Sequence, residues 1–163
     1  MSAALPIEPL SAAAFAPFGE VLAKPDSPGQ SINRGTGESW MLARLRLTEQ
    51  NGTAAISLYQ IAAADQDFRI GMMERHPAST QAFIPLGNGT LLAIVAPPML
   101  RLDADLIRVF AVPPGSGVNF AAGTWHHPAV ALGATAEALV IGRVGPGDCD
   151  IIMLGLPIAV DLD

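Results

Sequence analysis

The sequence is poor in cysteine, in basic residues and in long apolar runs. Its single cysteine, Cys149, excludes an internal disulfide and favours a reducing, cytoplasmic location. Nine lysine and arginine residues stand against fifteen aspartate and glutamate residues, and the net charge is −6. Without a basic cluster, the chain is not expected to bind nucleic acid. The apolar runs, such as residues 90–98, are too short to cross a membrane, so no membrane partner is expected either.

The start of the chain also lacks the basic stretch and the apolar segment of a signal peptide. Apolar side chains, by contrast, are in excess: 50% of the 163 residues are hydrophobic, and the mean hydropathy is +0.39. This length is typical of one domain with a substantial core, so we expect a single domain over residues 1–163. The apolar surplus indicates a subunit that buries surface in an oligomer, most simply a homodimer.

Turn-forming residues divide the chain into short extended segments. There are 16 glycines and 14 prolines, and alternating apolar segments lie between them. We therefore expect an all-β fold, either an antiparallel barrel or a jelly roll. One short helix is predicted over residues 12–16, with Ser11 as its cap. Residues 24–37 are predicted to form a loop, and residues 41–47 and 54–59 a hairpin.

The three histidines lie in two short segments. His126 and His127 follow Gly123, and His76 lies two residues after Glu74. On a strand, Glu74 and His76 point to the same face, whereas the adjacent His126 and His127 point to opposite faces. Gln81, which begins the strand after the next turn, is expected to return alongside Glu74 and His76. Histidine is the side chain best suited to act as acid, base or metal ligand near neutral pH. We expect the two segments to meet, with His126 inside; the alternative is that the three histidines are structural or exposed.

The spacing of these residues resembles the two motifs of the cupins, which are matched by Glu74-x-His76-x4-Gln81-x5-Gly87 and Gly117-x5-Gly123-x2-His126. In metal-binding cupins, two histidines and a glutamate of the first motif and the histidine of the second hold a divalent metal. The resemblance implies a cupin-type barrel or jelly roll with one or two short helices. If the chain binds a divalent transition metal such as nickel or zinc, the ligands implied are Glu74, His76, Gln81 and His126.

A second resemblance, to the ureidoglycolate lyase family, covers almost the whole chain. It is carried by residues 15–20, 32–36, 74–77, 79–86, 117–119, 123–128 and 145–149. Members of that family are cupins and homodimers that split ureidoglycolate into glyoxylate and urea during allantoin breakdown in purine catabolism. The resemblance therefore implies a carbon–nitrogen lyase of the amidine-lyase type that acts on a small molecule.

Two segments depart from the pattern of that family. Its members usually carry an aromatic-His-Asp segment after the Asn-x-Gly-Thr loop, where this chain has Ser-Trp-Met-Leu at residues 39–42. They also carry an asparagine directly before the cysteine of the closing loop, where this chain has Asp148. Both segments are expected to lie in substrate loops, so the departures allow a changed substrate preference.

The chemistry of ureidoglycolate cleavage suggests roles for the remaining polar residues. One carbon of the substrate carries a hydroxyl, a carboxylate and a urea nitrogen. Cleavage needs a base for the hydroxyl proton, an acid for the nitrogen and a partner for the carboxylate. We predict that Glu74, His76 and His126 are catalytic. The predicted substrate-binding residues are Gln81, Asn33, Arg34 and Asp148.

From the sequence alone, two other function classes stay open. One is another small-molecule cupin enzyme, such as an isomerase or an aminohydrolase that acts on a related acid. The other is a cupin that binds a ligand without catalysis, which the missing aromatic-His-Asp segment keeps in consideration. The substrate profile separates the first class from the lyase. Loss of turnover in an alanine variant of Glu74 or His126 excludes the second.

Overall fold

The computed structural model describes residues 4–162, and these residues form mostly β-strands. One α-helix, α1 (Ala12–Phe15), and three 3₁₀ helices (Asn33–Gly35, Glu49–Asn51 and Ala104–Leu106) are all short. None of the described helices is long and apolar enough to span a membrane. The predicted all-β class with short helices is confirmed. The strands are β1 (Ile7–Pro9), β2 (Gly19–Leu22), β3 (Gln30–Ile32), β4 (Gly37–Ser39), β5 (Thr53–Ile61), β6 (Arg69–Arg75), β7 (Gln81–Leu86), β8 (Thr90–Ala96), β9 (Arg108–Val112), β10 (Gly117–Phe120), β11 (Trp125–His126), β12 (Val130–Leu132), β13 (Ala136–Val144) and β14 (Asp150–Ala159).

Most of these strands belong to two mainly antiparallel sheets. The large sheet has the order β1-β9-β8-β11-β6-β14, with β12 also paired to β8, and the small sheet has the order β2-β10-β7-β13-β5. Strand β1 runs parallel to β9, and β3 and β4 form a separate hairpin. In the described part of the chain the sheets do not close into a barrel, because β5 and β14 end them as free edges. The predicted antiparallel fold is therefore present as two sheets.

The main core lies between the two sheets. Leu91 and Ala93 of β8 belong to the same buried cluster as Phe83 and Phe120 of the small sheet. The intervening Leu92 belongs to a second cluster. Because successive side chains of a strand point to opposite faces, β8 is buried on both sides. A strand that is buried on both sides needs apolar residues at consecutive positions, which explains the unbroken apolar sequence of β8.

Helix α1 fastens the N-terminal segment to the core. Ser11 caps it as predicted, through its side-chain oxygen. Phe15 and Phe18 are fully buried in the core. The carbonyl oxygen of Phe18 accepts hydrogen bonds from the Ala121 amide at 2.9 Å and from the Thr124 hydroxyl at 2.8 Å. The helix is thereby tied to the bend that precedes β11.

The predicted strand over residues 41–47 is wrong. This segment is irregular, and of its predicted apolar face only Leu47 is buried, while Met41 is 73% exposed. The segment is held at Arg46, whose amide donates to the Thr80 hydroxyl and whose carbonyl accepts from the Thr80 amide, both at 3.0 Å. The predicted hairpin with residues 54–59 is also wrong, because β5 pairs with β13 along its whole length.

Two further local predictions need correction. Residues 24–37, predicted as a loop, contain strand β3 and a 3₁₀ turn that leads into β4. Gln81 was expected to return beside β6, but β6 belongs to the large sheet and β7 to the small sheet. The turn between these two strands therefore crosses from one sheet to the other. As a result, Gln81 approaches Glu74 and His76 from the opposite sheet and not as a neighbour in the same sheet.

Candidate active site

Glu74, His76 and His126 come together at the face of the large sheet; we call these three residues the triad. His126 on β11 lies directly opposite Glu74 on β6 in the strand register, and its Nε2 is 3.3 Å from Glu74 Oε1. The centroids of the His76 and His126 rings are 5.3 Å apart. One ligand atom from each residue lies within 4.8 Å of the other two. The predicted meeting of the two histidine segments is therefore confirmed.

The bend at Gly123 directs His126 toward the other two members of the triad. Gly123 has a φ of +83°, which glycine adopts without strain. Its amide donates to the carbonyl oxygen of His76 at 2.9 Å, so the bend is tied to the end of β6. The next residue, Thr124, is buried and bonded to Phe18. Two sequence-distant contacts thus hold the start of β11 against β6.

Backbone carbonyls decide which nitrogen of each ring carries hydrogen. His76 Nδ1 is 2.5 Å from the carbonyl oxygen of Asp148, and His126 Nδ1 is 3.0 Å from that of Thr124. A carbonyl oxygen only accepts, so Nδ1 is the protonated nitrogen in both rings. Each neutral imidazole therefore presents the lone pair of Nε2. That lone pair is the atom a base or a metal ligand uses.

Three buried polar atoms of the site lack a hydrogen-bond partner among the described residues: His76 Nε2, His126 Nε2 and Gln81 Oε1. The contact between His126 and Glu74 has an ion-pair distance but not the alignment of a hydrogen bond. Gln81 pairs across strands with Phe120, whose ring centroid is 4.8 Å from that of His126. Paired residues share a face, so Gln81 points into the space between the sheets. Because buried polar atoms are rarely unpaired, this arrangement suits a polar ligand.

Glu74 is ionised at neutral pH. Its side chain is 22% exposed, and its polar contact with His126 is the largest effect that lowers the pKa of Glu74 below the usual 4.5; burial acts in the opposite direction. The other charges that lower this pKa are those of His76 and His127. The side chains that lower the pKa of Glu74 are thus histidines, and no described lysine or arginine is among them. A substrate carboxylate finds no permanent cation beside Glu74.

The triad can hold a metal ion. One ionised carboxylate and two imidazole Nε2 lone pairs are donors that first-row divalent metals accept. Metal-binding histidines usually donate their second ring N–H to a carbonyl or a carboxylate, as His76 and His126 do here. The residues present therefore fit a divalent transition metal.

The chain is similar to known proteins over nearly its whole length. The sequence profile described as ureidoglycolate lyase matches residues 2–161. The chain belongs to the ureidoglycolate lyase family. It is 42% identical to a ureidoglycolate lyase of Azotobacter vinelandii over 148 residues, which cover 90% of this chain and 89% of the relative. Identity is 40% over 144 residues to that of Burkholderia mallei (88% and 84% covered) and 37% over 161 residues to that of Burkholderia cepacia (98% and 91% covered).

The closing loop of this ureidoglycolate lyase family member supports His76. Asp148 is 8% exposed; its Oδ1 accepts from the Ala78 amide at 2.9 Å, and its Oδ2 accepts from the Ser79 hydroxyl at 2.5 Å. The carboxylate is therefore occupied by neighbouring protein groups. Arg143 lies on its other side, with Nη1 3.5 Å from Oδ2. Sequence reasoning did not single out Ser79 or Arg143, because an isolated serine or arginine shows no pattern before its distant partner is known.

Asn33 and Arg34, predicted to bind substrate, belong to the β3–β4 hairpin and not to either of the two main sheets. Both are exposed residues at the turn of the β3–β4 hairpin, and both have positive φ, 53° and 59°. The carbonyl of Asn33 accepts hydrogen bonds from the amide and hydroxyl of Thr36, so these bonds stay within the hairpin. Within residues 4–162, neither residue has a hydrogen bond or an ion pair with the triad.

Several neighbours of the triad serve the protein scaffold. Arg75 lies over the ring of Trp125 at 4.8 Å. Trp125 is buried in the core cluster outside the site. His127 packs edge-on against Phe68 at 5.3 Å, and burial lowers the pKa of its imidazole. Burial, followed by nearby carboxylates, raises the pKa of Cys149, so this exposed thiol is a poor nucleophile at neutral pH.

Proposed function

We propose that the protein splits ureidoglycolate into glyoxylate and urea, the reaction of its family in allantoin breakdown. The observation that carries this proposal is the triad, in which a carboxylate oxygen and one nitrogen of each of two imidazoles lie within 4.8 Å of one another. In the reaction the carbon–nitrogen bond breaks, and the hydroxyl loses its proton as the carbonyl of glyoxylate forms. The urea nitrogen gains a proton. The triad supplies a base and an acid at neighbouring positions.

His76 is proposed as the base and His126 as the acid. The Nδ1–H of His76 is engaged by the carbonyl of Asp148, so its Nε2 lone pair is free to take the hydroxyl proton. Protonated His126 gives a proton to the departing nitrogen. Ionised Glu74 lies 3.3 Å from His126 Nε2, so its negative charge faces the nitrogen that donates the proton. Positioned acid and base groups accelerate such steps by about 10²–10⁴-fold.

The remaining predicted residues are proposed to hold the substrate. Gln81 reaches the site from the small sheet with an unpaired Oε1 and is proposed to orient a substrate hydroxyl or amide. Asn33 and Arg34 are proposed to bind the carboxylate. Two facts support Arg34 in this role. No described lysine or arginine lowers the pKa of Glu74, so the cation that binds the carboxylate must come from another segment. Arg34 is exposed and has no hydrogen bond or ion pair to the residues that the structure describes. Arginine matches the geometry of a carboxylate.

If the protein has a cofactor, we propose one divalent transition metal such as nickel or zinc. Glu74, His76 and His126 would hold it, with the neutral amide oxygen of Gln81 as the fourth donor. When bound, such a metal supplies a Lewis acid that polarises the substrate oxygens.

A cytoplasmic homodimer of single-domain subunits is proposed. The support is the exposed apolar surface on the two free sheet edges, formed by Ile56 and Leu58 on β5 and by Ile151 and Met153 on β14. Unpaired edges with exposed apolar side chains favour association. The lone cysteine is consistent with a reducing compartment.

The test is product analysis with racemic ureidoglycolate and the purified protein, with and without a chelator. Glyoxylate with an equal amount of urea supports the lyase, and a loss of rate with the chelator, restored by nickel or zinc, supports the metal. Glyoxylate with ammonia in place of urea would show a hydrolase. No glyoxylate, even after divalent metals are added, would overturn the proposed function.

A further inference from the structure

Asp148 joins three separate parts of the chain beside His76. Its carboxylate accepts from the Ala78 amide and the Ser79 hydroxyl, which fixes the closing loop to the turn that follows β6. Its main-chain carbonyl accepts from His76 Nδ1. The side chain and the main chain of one residue therefore act together. The carboxylate holds the loop, and the loop presents the carbonyl to the imidazole.

Arg143 completes this attachment from the small sheet. Its side chain is buried; Nε donates to the Glu49 carbonyl at 2.8 Å, and Nη2 donates to the Gln50 carbonyl at 2.9 Å. Nη1 faces the carboxylate of Asp148 at 3.5 Å. A buried arginine that is fixed by main-chain acceptors gives the carboxylate a stationary positive charge. The closing loop is thus anchored both to the turn after β6 and to the end of β13.

We propose that Asp148 and Arg143 are positioning residues that fix the orientation and the tautomer of His76. They hold the carbonyl of residue 148 against Nδ1, so that Nε2 remains the lone-pair nitrogen. If the loop shifts, the imidazole loses its only hydrogen-bond acceptor among the described residues and is free to rotate or to change tautomer. Partners of this kind typically contribute 10–100-fold to activity or metal affinity. The effect on catalysis rests on the proposed function, but the effect on the tautomer does not.

The chain contains a matched control for this attachment. Asp150, two residues further along, forms an ion pair with Arg75 at 2.8 Å, but its side chain is 51% exposed. Arg75 packs over Trp125, away from the triad. Asp150→Ala therefore makes the same chemical change in the same segment without touching the support of His76.

The experiment compares Asp148→Ala, Ser79→Ala and Arg143→Lys with Asp150→Ala. None of these changes removes the carbonyl that His76 contacts, so any effect on His76 must act through the position of the loop. Nitrogen-15 NMR of labelled histidine reads the tautomer of His76 without substrate. Steady-state kinetics with ureidoglycolate give kcat and KM, and thermal unfolding reports folding.

We expect Asp148→Ala to lose the pure Nδ1–H tautomer of His76 and to lower kcat about 10–100-fold, with KM changed far less. Ser79→Ala and Arg143→Lys should show smaller changes in the same direction, and they keep the test available if Asp148→Ala does not fold. Asp150→Ala should match the parent protein. The same tautomer in all four variants would overturn the proposal. A protein without lyase activity that shows the predicted tautomer change would refute the proposed function and leave the positioning role intact.

Discussion

Replacement of Glu74 by glutamine tests whether its charge supports the proposed acid. The amide keeps the shape of the side chain and removes the negative charge 3.3 Å from His126 Nε2. At that distance, and with an effective dielectric constant of about 20, an ionised carboxylate and an imidazolium attract by about 5 kcal/mol. Each 1.36 kcal/mol corresponds to about tenfold in rate, so the full interaction is worth between three and four decades.

Desolvation of the pair offsets part of this attraction, and we therefore expect Glu74→Gln to lower kcat by about 10²–10³-fold. The change in thermal midpoint should stay within a few degrees, because the replacement is nearly isosteric. The assay is glyoxylate release under saturating substrate, with circular dichroism to follow unfolding. Glu137→Gln, an exposed change on β13, is the matched control. If Glu74→Gln retains more than a tenth of the parental kcat, the charge of Glu74 does not support the acid.

Three further predictions concern the supports of the site and of the N-terminal strand. Gly123→Ala meets no steric clash, so its cost comes from a φ of +83°, and the free energy of unfolding should fall by about 1–2 kcal/mol. Calorimetry should show this loss, and kcat should fall with it. An unchanged kcat would show that the bend does not position His126. Thr124→Val removes one of the two hydrogen bonds to the Phe18 carbonyl and should lower the stability by about 1 kcal/mol, or about 2–4 °C in thermal midpoint. Thr124→Ser keeps the hydroxyl and should recover this loss. If it does not, the loss comes from packing and not from the hydrogen bond. The hydrogen bond from Arg108 lowers the pKa of Glu8 below 4.5, so the stabilisation by this pair is fully present above pH 4.5 and is lost as the pH falls through the lowered pKa. Glu8→Gln should therefore reduce the free energy of unfolding by up to about 1 kcal/mol at pH 7, and denaturant titration at pH 3 should show a smaller difference; an equal loss at both pH values would contradict the ion-pair explanation.

Strands were predicted correctly where a segment alternates between apolar and polar residues and also has a partner strand to which it can hydrogen-bond. Glu74 and His76 share a face because they lie two apart at the end of β6, and Gly123 allows the bend that brings His126 to them. Residues 41–47 alternate equally well but remain irregular. Alternation shows that a segment can form a strand, whereas the hydrogen-bonding partner must come from another part of the chain. The predicted partner of residues 41–47 was β5, but β5 pairs with β13.

The sequence alone was sufficient for the all-β class, for the resemblance to the ureidoglycolate lyase family and for the meeting of Glu74 and His76 with His126. These properties follow from alternation, turn residues and short motifs, which are local in the chain. Only the tertiary structure decided which nitrogen of His76 is free, because the carbonyl that engages the other nitrogen lies 72 residues away. The place of Asn33 and Arg34 in a separate hairpin and the burial of the Asp148 carboxylate have the same cause. Contacts between distant segments depend on how the two sheets pack, and packing leaves no periodic trace in the sequence.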